Sequence, residues 1–191
     1  MTIENRCFPF GIPVGRGPLL FCFHHAGGNA GQLRSWSGIR SGISVVPVEY
    51  AGHGCRMKER FSEDICDIAA ELAGEIAKAA EGRRIYIYGH SLGTLIAFET
   101  VRGAPFDRDL GGFHSSTGRE SLIEEMKRLG GMDECFLGDK SFMDYFSPII
   151  LSDYRLFERY SYDGGRISAP VCAHCAVDDV DTSPEQMLHW E

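Results

Sequence analysis

The pentapeptide Gly89-His90-Ser91-Leu92-Gly93 constrains this chain more than any other feature. It follows a compact apolar run at 84–88 that is rich in β-branched and aromatic residues, and it opens into an uninterrupted helical pattern. A G-x-S-x-G sequence between a strand and a helix is typical of a nucleophile elbow. The two glycines allow the strand and the helix to approach each other closely. We therefore predict that Ser91 is a nucleophile that faces a cleft and the positive end of the following helix.

Length and composition indicate an ordinary globular chain. With 191 residues, 43% hydrophobic and 24% charged, it is expected to form a single domain over residues 1–191 with its own core. The net charge of −8 argues against binding to nucleic acid or to an anionic membrane. The apolar runs are too short to span a bilayer, and the first residues lack the pattern of a signal peptide. We expect a cytoplasmic protein without membrane association.

The seven cysteines show no disulfide framework and are expected to be reduced. Cys172 and Cys175 form a C-x-x-C pair, but the pair lies in a strand-like run at 171–177. A second ligand pair at zinc-site spacing does not accompany it. We interpret both residues as structural, with a metal or redox site as the alternative, and we expect neither a metal nor a cofactor.

Strand-like segments alternate with helical segments along the chain. Asn29 and Ser62 are predicted to cap two helices, and Pro47 suggests an irregular or edge strand. Such alternation predicts an α/β fold with a mainly parallel sheet that helices cover on both faces. Strands are predicted at 18–24, 44–50, 84–88, 110–116 and 170–177, and helices at 30–40, from 62 to 77, after the elbow, at 120–129 and from 183.

Residues 119–162 interrupt this alternation and predict an inserted helical lid. Their apolar residues recur at helical spacing. Two interpretations stay open for these side chains, packing in the core and the wall of a ligand site. The apolar and aromatic positions are Phe142, Tyr145, Phe146, Ile149, Ile150, Tyr154, Leu156, Phe157 and Tyr160.

The first predicted strand runs into a glycine-rich loop, His24-His25-Ala26-Gly27-Gly28. In α/β-hydrolases a loop at this place supplies the second oxyanion donor, and small residues let its backbone N–H groups approach a substrate. A plain strand-to-helix turn is the alternative. His24 and His25 precede the nucleophile in the chain, so we do not expect either to be the catalytic base.

Together these segments resemble type II thioesterases, the free-standing editing enzymes of polyketide and non-ribosomal peptide synthesis, which have an α/β-hydrolase fold. His24 stands where the family has a proline before its Ala-Gly-Gly loop. Residues 48–56 loosely resemble the family's Pro-Gly-Arg-Gly-x-Arg stretch, whereas residues 89–99 match closely. Lid-like segments at 129–131 and 148–160, Asp178-Asp179 and Trp190 complete the likeness.

The resemblance implies a Ser–His–Asp mechanism. Ser91 would attack a thioester carbonyl on the phosphopantetheine arm of an acyl or peptidyl carrier protein. The backbone N–H groups of Ala26 and Leu92 would hold the oxyanion. Asp179 would orient the histidine, with Asp178 as the second candidate and a simple turn as the alternative for both.

The lid would then contact the substrate. Phe142, Tyr145 and Phe146 would face the acyl chain, and Arg155 and Arg159 would receive the phosphate of the arm. The alternative is that these arginines are ordinary solvated charges.

Two departures from the family qualify this interpretation. The family's histidine follows in a Gly-His-Phe loop, whereas here His189 is the one histidine after Asp179. The stretch between the elbow and the lid, around 103–119, is also short. We expect that a C-terminal part with the catalytic histidine is missing from these residues. The alternatives are another esterase or acyltransferase, or a non-catalytic hydrolase-like binding protein without that histidine.

Overall fold

The computed structural model of the protein describes residues 5–39, 42–102, 106–107, 118–162, 164–179 and 181–190, and only the backbone at 106, 107 and 189. The strand predicted at 110–116 lies outside these residues. Within the described part of the chain, no helix is both long enough and apolar enough to cross a bilayer.

Three parallel strands form the main sheet, in the order β2-β1-β3. They are β1 (Leu19–Phe23), β2 (Ser44–Pro47) and β3 (Ile85–Gly89). Phe21 of β1 lies opposite Val46 on one side and Ile87 on the other. The parallel sheet predicted from the sequence is confirmed, and Pro47 lies on an edge strand of the described sheet, where its missing N–H costs no ladder bond.

The helices follow most of the predicted pattern. A short antiparallel pair, β4 (Phe106–Asp107) with β5 (Ser161–Tyr162), flanks the lid residues. The helices are α1 (Ala30–Leu33), α2 (Ile65–Ala80), α3 (Leu92–Arg102), α4 (Arg119–Leu129), α5 (Glu134–Leu137), α6 (Lys140–Arg159) and α7 (Pro184–Met187), with 3-10 turns at Arg34–Gly38, Gly54–Arg56 and Leu188–Trp190.

The side chains of the sheet alternate between two faces, and both faces carry packing contacts, although Ile85 and Tyr86 of β3 are 37% and 42% exposed. Phe21 and Phe23 are fully buried in a cluster with Leu72 of α2 and Ile96 of α3. Cys22 and Tyr88, which are register partners, belong to the other face. There the ring of Trp36 packs 5.0 Å from that of Tyr88. The core therefore fixes the carboxyl ends of β1 and β3 side by side.

Helix caps explain where several helices begin. The Asn29 side chain accepts a hydrogen bond from Gly31 and forms a capping box with Gln32, and Ser183 does the same with Gln186. The prediction that Ser62 caps the next helix is wrong, because Asp64 accepts from the Cys66 N–H at 2.7 Å and α2 begins at Ile65. The Ser62 hydroxyl instead donates to the Asp64 carbonyl.

The strand predicted at 170–177 is also wrong. This segment forms no strand, and Val171 and Val177 are 50% and 90% exposed. Its apolar pattern satisfies the side-chain requirement for a strand, but a strand also needs a neighbour for its backbone hydrogen bonds. Among the described residues no strand lies beside it.

Helix α6 contains a proline, Pro148. Proline has no N–H, so the carbonyl of Asp144 loses its helical donor. Phe142 and Phe146 precede the proline, and Ile150 and Asp153 follow it. The two halves of α6 thus direct different residues towards the loop that follows β1.

Candidate active site

Ser91 lies in the turn between β3 and α3, and its backbone is strained. Its φ angle is 53°, a left-handed value that a residue with a side chain rarely adopts. Ser91 is exposed, whereas Leu92 next to it is fully buried. Leu92 opens the first turn of α3, whose N–H groups have no partner within the helix. The predicted elbow geometry is therefore present, with a serine hydroxyl at a helix N-terminus.

The two glycines of the elbow permit close backbone packing. A Cβ atom at Gly89 would lie 2.5 Å from the Gly93 oxygen. A Cβ atom at Gly93 would lie 2.4 Å from the Phe23 oxygen and 2.6 Å from the His24 oxygen. The first turn of α3 therefore touches the end of β1, where the glycine-rich loop starts. This contact brings Ser91 and Leu92 to that loop.

The loop at 24–28 turns the Ala26 N–H away from the protein interior. The carbonyl oxygen of His25 accepts two hydrogen bonds, from the Gly28 N–H at 2.9 Å and from His24 Nδ1 at 2.9 Å. In a trans peptide the C=O and N–H groups point in opposite directions. The Ala26 N–H shares its peptide with the His25 carbonyl, so it points away from these buried donors. This orientation supports the hypothesis that Ala26 is an oxyanion donor.

Aromatic residues of the lid lie beside the same loop. A Cβ atom at Gly27 would meet Phe146 at 3.3 Å and Ile150 at 2.7 Å. The Phe146 ring stacks on Phe142 with centroids 5.1 Å apart, and Phe142 in turn contacts Phe136 at 5.1 Å. Phe142 and Phe146 are half-buried. The structure thus brings Phe142 and Phe146 together near the loop.

Tyr145 and Phe136 depart from the sequence analysis. Tyr145 is 50% exposed, and no described ring contacts its side chain. Phe136 is 49% exposed and was missed, because it lies on the separate short helix α5 and its spacing to Phe142 follows no helical period.

Asp179 lies in the exposed loop before α7. Its Oδ1 atom accepts from the Asp181 and Thr182 N–H groups, each at 2.9 Å, which fixes the carboxylate in the loop. Burial and the nearby His25 lower the pKa of His90, and the Asp179 carboxylate acts in the opposite direction. Asp179 therefore lies within electrostatic reach of the residue that precedes Ser91. Asp178 is exposed in the same loop.

The one histidine after Asp179 is His189, which was not predicted to be the catalytic histidine. His189 belongs to the 3-10 turn Leu188–Trp190, and its side chain is not described. The neighbouring Trp190 packs on Phe98 of α3 with ring centroids 5.9 Å apart. The C-terminal turn thus packs against the elbow helix.

Four buried titratable residues lie beneath the loop and were not predicted as a group. None of them is more than 3% exposed. Burial lowers the pKa of His24. Burial also acts to lower the pKa of His53, but the Asp153 carboxylate outweighs this effect and the pKa is raised. Only the sequence Gly-His-Gly at 52–54, where the family has an arginine, signalled that this position is unusual. The four residues are His24, Glu49, His53 and Asp153.

Arg155 and Arg159 lie on the far side of α6 from Phe146. At about 3.6 residues per turn, Arg155 follows Phe146 by two and a half turns. Arg155 lines a cavity of about 360 Å³ with Phe61 and Ser147, and it shares a second cavity of about 330 Å³ with Arg159. Arg159 is ion-paired with Glu63 at 3.1 Å. The structure does not bring these arginines to the loop at 24–28.

The C-x-x-C pair lies in the exposed segment before Asp179. The Cys172 sulfur is 3.5 Å from His174 Nε2, and the Cys175 thiol donates to the Thr182 carbonyl at 3.3 Å. All seven cysteines are unpaired. In the ranges that the structure describes, no three His, Cys, Asp or Glu residues are grouped so that they could hold a metal ion.

A strained serine between a parallel strand and a helix, with a glycine-rich loop beside it, is typical of the α/β-hydrolase fold. Comparison with known proteins shows what the chain resembles. Residues 18–104 match the family model of the thioesterase domain. The match covers 87 of the 191 residues of the chain.

Two named relatives resemble the chain over most of its length. The chain is 28% identical over 190 residues to the "Probable cadicidin biosynthesis thioesterase" of Streptomyces griseus, covering 90% of this chain and 52% of that protein. It is 27% identical over 193 residues to thioesterase PikA5 of Streptomyces venezuelae, covering 90% of this chain and 68% of that protein. The chain thus spans about half the length of the first relative.

A solved structure shows the same fold. RedJ, a thioesterase from the prodiginine biosynthetic pathway of Streptomyces coelicolor, superposes with a TM-score of 0.80 at 27% identity. The alignment covers 91% of this chain and 72% of RedJ. The α/β-hydrolase fold expected from the sequence is therefore confirmed.

Proposed function

We propose that this chain is the nucleophile-bearing part of a type II thioesterase, which hydrolyses acyl groups from the phosphopantetheine arm of an acyl or peptidyl carrier protein. One observation carries the proposal. Ser91 is held in a strained turn whose following helix touches the start of the loop at 24–28. A nucleophile and two candidate oxyanion donors, Leu92 and Ala26, therefore belong to one backbone arrangement. The names of the relatives support the choice of thioesters as substrates.

In the proposed mechanism, Ser91 Oγ attacks the thioester carbonyl carbon while a histidine takes the hydroxyl proton. The carbonyl electron pair moves onto oxygen, where the Ala26 and Leu92 N–H groups stabilise it. One such donor is worth about 3–4 kcal/mol. The C–S bond then breaks and the thiol of the arm leaves with the proton. Water, activated by the same histidine, hydrolyses the acyl-serine.

Asp179 is our proposed partner for that histidine. The backbone donors that bind its Oδ1 atom hold the carboxylate within its loop. Its effect on the pKa of His90 supports its closeness to Ser91. An aspartate in this role holds the correct tautomer of the histidine and stabilises its charged form.

The half-buried rings of Phe142 and Phe146 support an acyl-binding wall next to the loop.

Docking of the carrier is proposed for the outer side of α6 at Arg155, for which no ion pair is found among the described residues. Since the chain carries a charge of −8, a local patch of this kind would be needed to attract an acidic carrier.

A cytoplasmic location is part of the proposal, and the unpaired cysteines support it.

A fluorophosphonate probe tests the nucleophile in the full-length protein. We expect labelling of Ser91 and hydrolysis of acyl-carrier thioesters, and we expect Ser91→Ala to abolish both. Ser35→Ala, an exposed serine in the Arg34–Gly38 turn, is the control and should change neither. Labelling that persists in Ser91→Ala contradicts the assignment. Faster turnover of simple esters than of acyl-carrier thioesters would indicate an esterase, and no turnover of either would indicate a binding protein.

A further inference from the structure

The buried side of the loop at 24–28 is held by a charge pair from two distant segments. Asp153 of α6 accepts the Gly27 N–H at 2.6 Å and faces His53 Nε2 at 3.0 Å, both through its Oδ2 atom. Its Oδ1 atom has no hydrogen-bond partner among the described residues. Because Asp153 is fully buried, its carboxylate depends on Gly27 and His53.

The surroundings of His53 require a proton on both ring nitrogens. Nδ1 lies 3.1 Å from the Ala51 carbonyl oxygen and Nε2 lies 3.0 Å from Asp153 Oδ2. Both partners are acceptors, and a neutral imidazole has only one N–H. The imidazole is therefore cationic, in agreement with the raised pKa of His53.

The other titratable groups that face His53 are compatible with a proton on both of its ring nitrogens. The ring centroid of His24 is 5.2 Å from that of His53, and that of Tyr50 is 5.7 Å away. Burial keeps the pKa of His24 low and that of Tyr50 high, so both are neutral near pH 7. The carboxylate of Glu49 adds to the negative potential at His53. The positive charge of the cluster thus resides on His53.

The charge pair determines the orientation of one peptide in the loop. The Gly27 N–H belongs to the same peptide unit as the Ala26 carbonyl, and that carbonyl accepts from His25 Nδ1 at 2.8 Å. The Ala26–Gly27 peptide is therefore held at both of its polar groups. Its rotation would alter the backbone at Ala26, the proposed oxyanion donor.

We propose that Asp153 and His53 are positioning residues for the oxyanion hole. The pair fixes the Ala26–Gly27 peptide and, through it, the direction of the Ala26 N–H. Because Asp153 belongs to α6, the helix that carries Phe146 is joined to the oxyanion loop by a buried ionic contact. The role of Ala26 in this inference rests on the proposed function. The contact of Asp153 with Gly27 and His53 is independent of it.

Two variants of the full-length protein test the proposal. Asp153→Asn removes the charge with little change of shape, and Asp144→Asn, on the same helix but paired at the surface with Arg119 and Lys140, is the matched control. We expect Asp153→Asn to speed hydrogen exchange at the Gly27 amide and to lower the pKa of His53 towards its usual value, both measured by NMR. We also expect kcat for a small acyl thioester to fall at least tenfold with KM unchanged. Asp144→Asn should match the wild type in every measurement.

A second pair of variants, at His53, distinguishes loss of the ion pair from misfolding. His53→Arg restores a positive charge at the position where the family that the sequence resembles has an arginine, and it should retain Gly27 protection and kcat. His53→Gln should lose both while remaining folded by circular dichroism. Wild-type exchange at Gly27 and wild-type kcat in Asp153→Asn and His53→Gln would overturn the proposal. A wild-type protein that hydrolyses no thioester refutes the proposed function instead, and Gly27 exchange then still decides whether the pair holds the loop.

Discussion

A Cβ atom added to Gly93 would lie 2.4 Å from the carbonyl oxygen of Phe23. The elbow helix and the first strand thus meet through their backbones, with no room for a methyl group. We expect Gly93→Ala to reduce the free energy of unfolding by about 1–3 kcal/mol, the usual cost of overpacking. Urea denaturation measures this change.

The control for this prediction is Gly74 in α2, where an added Cβ would contact nothing within 4 Å. Because alanine has the higher helix propensity, Gly74→Ala should raise stability by about 0.8–1 kcal/mol. Equal effects of the two substitutions would contradict the close contact at Gly93.

The acid loop gives a prediction that separates two neighbouring carboxylates. If Asp179 orients the histidine, Asp179→Asn should lower kcat by about 10⁴-fold, the magnitude known for the aspartate of serine proteases, and Asp178→Asn should have little effect. Asp179→Asn should also lower the pKa of His90, since the carboxylate opposes the effects of burial and His25 there. NMR titration of His90 measures the second effect without any substrate. The reverse pattern in turnover would assign the role to Asp178.

The pair of His53 and Asp153 predicts how stability depends on pH. The pKa of His53 is raised in the folded state, so the protonated ring favours folding. This contribution is fully present below the unfolded pKa, about 6.5, and is lost as pH rises through the raised folded value. Breaking a buried pair by removing one partner costs about 3–5 kcal/mol. We expect His53→Gln to be destabilised by about this amount at mildly acid pH and by less in alkaline solution.

Denaturation of the wild type and His53→Gln across this pH range checks the prediction. His24 is present in both proteins, so the part of its lowered pKa that burial causes cancels in the difference, and only the part that His53 causes remains. A difference in stability that grows with rising pH would show that His53 is neutral in the folded protein.

Arg155 provides a prediction about the carrier. We expect Arg155→Ala to raise KM for an acyl-carrier protein several-fold and to leave turnover of a small acyl thioester unchanged, because only the carrier reaches the outer side of α6. Lys78→Ala on α2 removes an exposed charge elsewhere and is the control. Equal losses on both substrates would indicate a structural role for Arg155. Steady-state kinetics with both substrates decides between these results.

Local patterns in the sequence predicted most of the fold, because interactions between residues close in sequence determine where helices and strands begin. The elbow was predicted from its glycines and flanking apolar residues, and the cap at Asn29 from short-range hydrogen bonding. The segment at 170–177 shows the limit, because its strand pattern does not supply a neighbouring strand.

In the candidate site, too, local features were predictable and contacts between distant segments were not. Ser91 and the loop at 24–28 were predicted from contiguous motifs, and the structure places them in contact through Gly93. The contact of Asp153 with Gly27 and His53 was not predictable, because three segments far apart in sequence meet only after folding. A single buried aspartate in an aromatic-rich helix does not reveal its partners.

Pro148, in the middle of α6, lies between two groups of side chains that make different contacts. Phe142 and Phe146, before Pro148, belong to the wall beside the loop, while Asp153, after it, holds the loop by a hydrogen bond. Because proline has no N–H, the helical bond to the Asp144 carbonyl is missing between these two groups of side chains. The residues of the proposed acyl-binding wall are therefore separate in sequence from the residue that holds the loop, so the first group can vary for another acyl group while Asp153 is kept.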